Sequence, residues 1–218
     1  MIIKRSVLIL ALVAAGGALH SGSAEALVTT YTDRAAFQAA AGTTVLEDFN
    51  SFTEDASFAG GGVLDVGDFT LSGTSPFPAF NLVDVPPDNT ISAFRIDGTP
   101  FVSTITNTVD SFTIEFESEI SAFGAEFNYI SDDSLSRVRT TSVDLGLGEP
   151  SIEIPFLQPG FFGFVSDTKF SSLTFTSNTG DTWSLDNVEY AVAEVPEPGM
   201  LVCLAALGLL GVVTRKQS

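Results

Sequence analysis

Phe112-Thr113-Ile114-Glu115-Phe116 alternates apolar and polar residues without a break. In a strand successive side chains point to opposite faces, so Phe112, Ile114 and Phe116 share one face and Thr113 and Glu115 the other. Glu117-Ser118-Glu119 predicts a turn after it. Ile120 to Tyr129 predicts a second strand, with Phe123, Ala125, Phe127 and Tyr129 on one face. Segments of the same kind recur on both sides, bounded by Gly, Pro, Asn and Asp: Phe69 to Gly73, Phe80 to Val85, Ala93 to Asp97 and Phe101 to Thr106 before it; Ser142 to Leu147, Ile152 to Phe156, Phe161 to Val165, Phe170 to Thr176 and Trp183 to Val192 after it. About a dozen short strands punctuated this way predict an all-β fold, a single β-sandwich or jelly-roll-like domain. Its core is supplied by Phe, at 19 residues against 3 Tyr and 1 Trp. One short N-terminal helix is expected, capped by Asp33, running from Arg34 to Ala41 and stopped by Gly42. No internal repeat is visible, which argues against a solenoid.

The two ends read differently from this body. Lys4 and Arg5 precede an apolar run from Val7 to Leu19, and Ala24-Glu25-Ala26 follows as an A-x-A cleavage signal. Residues 1–26 read as a secretory signal peptide cut by signal peptidase after Ala26. At the other end Val195-Pro196-Glu197-Pro198-Gly199 leads into an apolar stretch from Met200 to Val213, closed by Arg215 and Lys216. The prolines keep the approach extended, and the basic pair holds the tail on the cytoplasmic side of the inner membrane. A helix from Met200 to Val213 rises only about 21 Å, short of a hydrocarbon core of roughly 30 Å. Such a segment suits a transient hydrophobic sorting helix that is later removed. The chain therefore divides into residues 1–26, a β-sandwich body at 27–194, and a sorting signal at 195–218.

Val195-Pro196-Glu197-Pro198, the apolar helix and the Arg-Lys end together resemble the PEP-CTERM sorting signal, a tail also catalogued as the ice-binding protein C-terminal domain. The resemblance covers about the last two dozen residues. It implies export in a Gram-negative bacterium that makes exopolysaccharide. It also implies recognition of Pro-Glu-Pro by the membrane protease-transpeptidase exosortase.

The chain carries 9 Lys and Arg against 27 Asp and Glu, a net charge of -18. Charge of this sign repels phosphate backbones and argues against nucleic-acid binding. Once both ends are set aside, Arg34, Arg95, Arg137, Arg139 and Lys169 face 25 acidic residues, a charge of -20. His20 leaves with the signal peptide and Cys203 lies in the tail, so the body has neither His nor Cys. That excludes Ser-His-Asp and Cys-His nucleophile pairs, histidine general bases and His/Cys zinc sites. What remains is chemistry carried by carboxylates, Lys169, Tyr and oxygen-bound cations.

Leu46-Glu47-Asp48-Phe49 near the start and Trp183-Ser184-Leu185-Asp186-Asn187-Val188-Glu189-Tyr190 near the end, together with Tyr31-Thr32-Asp33-Arg34-Ala35-Ala36-Phe37, look like the ends of many exported PEP-CTERM proteins. The same pairing is similar to jelly-roll carbohydrate-binding modules, whose first and last strands lie close and often share a structural calcium. The resemblance implies Glu47, Asp48, Asp186 and Asn187 as calcium ligands, and calcium's preference for 6–8 oxygen donors suits them. Asp132, Asp133 and Asp181 are loop alternatives. For a sugar-stacking platform only Trp183 and three Tyr are available.

Other patterns carry less. Glu115, Glu117 and Glu119 at period two read as a solvated row. Ser166-Asp167-Thr168-Lys169 matches S-x-x-K without its companion motifs. Gly60-Gly61-Gly62 is turn chemistry. Thr99, Thr104, Thr106, Thr108, Thr174 and Thr176 suit strand surfaces. The expectation is a non-enzymatic, exported, exosortase-sorted protein of the cell surface or extracellular matrix, binding exopolysaccharide with calcium. The alternatives are a carboxylate-based glycan hydrolase or lyase, and a purely structural coat component.

Overall fold

The structure, a computed structural model, describes residues 26–86, 92–131, 139–148 and 150–193. In chain order these hold β1 (Val28–Tyr31), α1 (Arg34–Ala41), β2 (Val45–Glu47), β3 (Ala56–Ser57), β4 (Val63–Asp65), β5 (Phe69–Gly73), β6 (Leu82–Asp84), β7 (Phe101–Thr106), β8 (Phe112–Asn128), β9 (Thr141–Asp144), β10 (Ile152–Ile154), β11 (Gly160–Ser177) and β12 (Asp181–Val192). All twelve strands join one hydrogen-bonded sheet with antiparallel pairing throughout. The mostly-β body with one α-helix is as the sequence predicts.

The turn expected at Glu117-Ser118-Glu119 is absent. β8 runs straight through it as a 17-residue strand, with all three residues exposed. Its first half pairs with β5 and with the end of β11, as in Phe69↔Phe116 and Phe175↔Phe112. Its second half pairs with the start of β11 and with β12, as in Phe164↔Phe123 and Tyr190↔Phe123. The register slips between Val165 and Phe170 and again before Ser172. Such bulges bend a strand without ending it, and polar residues suit their unpaired positions. By the same device Phe161–Val165 and Phe170–Thr176 are parts of the single strand β11.

Apolar residues from both halves meet around Trp183, which is fully buried. Its ring centroid lies 5.3 Å from Phe175, 5.6 Å from Phe112 and 5.8 Å from Phe127. The indole N–H donates to Thr106 Oγ1 at 3.1 Å, so its one polar atom is satisfied. From there a buried chain of hydroxyls passes through Ser177 and Thr141 to Asp181, which also accepts the Ser131 amide at 2.8 Å. Asp181 thus belongs to a strand and to an internal network, not to a loop. Thr104 and Thr106 are buried as well, so the threonines form no continuous outer face.

The helix forms as its sequence predicts. The Asp33 side chain accepts the Ala36 amide at 2.8 Å, and Gly42 at φ 79° ends the helix. Phe37 is its buried anchor, 5.4 Å from the Phe161 ring. The sheet makes room for it with two glycines. A Cβ on Gly124 would lie 2.6 Å from Phe161 Cζ, and one on Gly163 would lie 2.9 Å from Phe37 Cδ2.

Ala93 to Asp97 does not form the expected strand. Ser92–Phe94 is a 3-10 turn, and side chains take its carbonyls. Asn128 Nδ2 donates to Arg95 O at 3.0 Å and Ser184 Oγ donates to Phe94 O. Tyr129 leaves the strand face predicted for it, with φ at 62° and its ring 5.3 Å from Phe94.

Candidate functional site

β2 lies beside β12, with Glu47 opposite Val188, so the strands carrying the predicted calcium ligands are neighbours. Their four side chains divide between two places. Glu47 Oε1 turns back to accept the Phe49 amide at 2.7 Å, and Asp48 Oδ1 accepts the Asn50 amide at 3.1 Å. Burial pushes the Glu47 carboxyl above its ordinary range. The Phe49 amide opposes that, and Asp48 and Asp68 add to it. Asp68 in turn accepts the Tyr190 hydroxyl at 2.6 Å. Burial, followed by this bond and charge, holds the Tyr190 phenol well above its usual value.

Asp186 and Asn187 form the second place, under the loop that follows the 3-10 turn. Asp186 is fully buried; its Oδ1 accepts the Asn187 amide at 2.6 Å and its Oδ2 accepts the Thr99 hydroxyl at 3.2 Å. Desolvation pushes its carboxyl up to about 7. The Asn187 amide and Thr99 work against that shift, and the charges of Asp97 and Glu126 reinforce it. Asn187 sits at φ 52°, a left-handed position that asparagine tolerates, and its side-chain amide reaches Asp97 Oδ2 at 3.4 Å. Asp97 moves the other way. Burial would raise it, but the hydroxyl and amide of Thr99 and the Asn187 amide outweigh burial and hold it low.

Asp97, Thr99, Asp186 and Asn187 are therefore the oxygen-rich group that the fold assembles. These are hard donors of the kind calcium takes. Among the described residues, no three Asp, Glu, His or Cys side chains converge as a metal-binding group. Asp97 and Thr99 stand in no ligand pattern in the sequence. They lie about ninety residues from Asp186, and no local spacing connects them.

A third acidic pair likewise has no local signature in the sequence. Glu126 and Glu189 flank Arg34 of α1, at 3.4 and 3.3 Å. Gln38 donates to Glu189 at 2.9 Å, and the Arg34 guanidinium lies 5.3 Å from the Phe161 ring centroid. This group ties the helix to the sheet. Glu115, Glu117 and Glu119 are exposed, as a solvated row should be.

Ala26 is described and immediately precedes the start of the fold. Ala24, Val195, Pro196, Glu197, Pro198, Arg215, Lys216, Asp132 and Asp133 lie outside the described residues. Among the described residues no helix is long and apolar enough to cross a membrane.

Residues 194–217 match the family model of the PEP-CTERM protein-sorting motif. The match confirms the tail read from the sequence and covers the tail alone. It begins directly after Ala193, whose amide still bonds Glu119 O at the end of the β12 ladder. No curated protein matches the chain.

Proposed function

We propose that this PEP-CTERM tail delivers a non-enzymatic β-sandwich body to the cell surface or extracellular matrix of a Gram-negative bacterium, where it binds exopolysaccharide with calcium. The observation that carries the proposal is the sorting motif at residues 194–217, which implies export and processing by exosortase. The tail then acts as a transient anchor in the inner membrane and is removed.

The jelly-roll-like form of the body is supported by β8 and β11, which change neighbours halfway along, and by Phe112 and Phe175 facing Trp183 across the core. A non-enzymatic role is supported by the loss of the only His and Cys with the two ends. It is also supported by Arg34, which engages the adjacent carboxylates Glu126 and Glu189. Calcium is the chemically sensible bridge between a body of charge -20 and an anionic glycan. Asp97, Thr99, Asp186 and Asn187 would hold it.

Co-sedimentation of the exported protein with the exopolysaccharide of the cells that make it tests this. Retention is expected with calcium and is lost with excess chelator. The variant Asp97→Asn is expected to need several-fold more calcium. Absence from the pellet in both conditions would leave a structural coat role in its place.

A further inference from the structure

The ordered pairing of the fold begins at the residue that the signal-peptide cut would expose. β1 runs beside β11 from Val28↔Ser166 onward. Leu27 extends that ladder by one position, its carbonyl accepting the Asp167 amide at 3.1 Å. Its own nitrogen donates to Asp167 Oδ1 at 2.9 Å. In the uncut chain that nitrogen is a neutral peptide amide. Hydrolysis of the Ala26–Leu27 bond adds one water, so that Ala26 leaves with a carboxylate and Leu27 keeps an α-ammonium.

We propose that Asp167 is the receptor for the N-terminus that signal cleavage creates, pairing its carboxylate with the Leu27 α-ammonium and fastening β1 to β11. The proposal rests on processing after Ala26. A neutral hydrogen bond becomes a charge-assisted one with no movement of the heavy atoms. The nitrogen is already placed, and Leu27 itself is 69% exposed, so the new terminus can ionise in contact with water. The surroundings favour the cation. Asp167 also accepts the Thr168 hydroxyl at 3.2 Å. Asp144, at the end of β9, lines the same shallow depression as Ala26 and Val28. Lys169, two residues along β11, is the nearby like charge in the sequence. An exposed pair contributes little to stability, so the amine itself is the readout.

The test uses protein exported by cells that express the full chain. Its first residue is identified by mass spectrometry, and labelling of the α-amine is followed against pH. A mature chain starting at Leu27 is expected, with its amine pKa about half to one unit above the ordinary 7.7–8.0. Asp167→Asn is expected to remove most of that rise. Because the acidic body raises any cation's pKa, the difference between wild type and variant isolates Asp167. If that variant is not exported, Asp167→Ser, which also removes the charge, is expected to remove the same rise. A chain starting elsewhere overturns the processing premise. A Leu27 start whose amine pKa is not lowered by removing the Asp167 charge overturns the ion pair alone.

Discussion

At the scale of single residues, Asp186 makes the sharpest statement about pH. An unfolded aspartate titrates near 3.9, whereas burial pushes this one up to about 7 in the fold. The folded state therefore favours the neutral acid. Its contribution to stability is complete below about pH 4 and is lost as pH rises through 7. In chelator the melting temperature is expected to fall across that window. Asp186→Asn, neutral throughout, should flatten the fall and melt higher than the wild type at pH 8. A shift of about three units caps the effect at ~4 kcal/mol. Parallel melting curves for wild type and variant between pH 4 and 8 would remove Asp186 as the cause. Calcium held by the carboxylate should reverse the trend, raising stability most at the pH where the free site is least stable.

At the scale of elements, α1 shows how closely local signals can specify structure. Asp33, the run Arg34 to Ala41 and Gly42 give its start, length and end, and the structure keeps all three. Asp33→Ala should cost about 0.5–2 kcal/mol through the lost cap. The helix also depends on something its own sequence does not contain, the bare backbone at Gly163 and Gly124. Gly163→Ala places a methyl against Phe37 and the Gly124 Cα and should cost about 1–3 kcal/mol by overpacking. Phe37→Ala removes the anchor and should cost about 3–5 kcal/mol. Chemical denaturation of the three variants checks these figures, and a Gly163→Ala protein as stable as wild type would contradict the close approach.

The strands divide in the same way between local and distant causes. Phe69–Gly73 and Phe101–Thr106 were legible to the residue because strand-favouring side chains run between local breakers, Asp68 and Gly73 for one, Pro100 and Asn107 for the other. The passage at Glu117-Ser118-Glu119 was not, because three exposed polar residues look alike in a turn and in a bulge. Only pairing with distant β11 and β12 distinguishes the two. The candidate site follows suit. Asp186 and Asn187 stand in a recognisable segment, but Asp97 and Thr99 reach them through a loop held by Asn128 and Ser184. That arrangement depends on tertiary contacts and leaves no periodic trace.

At the scale of the whole molecule, a strongly acidic β body lies between the N-terminal segment whose sequence reads as a signal peptide and the tail that matches the PEP-CTERM motif. The ladder reaches back to Leu27 at one end and on to Ala193 at the other, so both segments can be removed without breaking a described strand. Replacing Pro196, Glu197 and Pro198 together by alanine should leave folding unchanged. The full-length product should then accumulate in the inner-membrane fraction. Normal surface delivery of that variant would show that the Pro-Glu-Pro triplet is not what is recognised. Exosortase sorting is tested by the intact mass of the protein recovered from its own cells, with exosortase present and with it deleted. The expected result is a chain that has lost its hydrophobic C-terminal segment when exosortase is present, and an unprocessed, membrane-retained tail when it is absent. A tail that stays intact in both, or is lost equally in both, would contradict it.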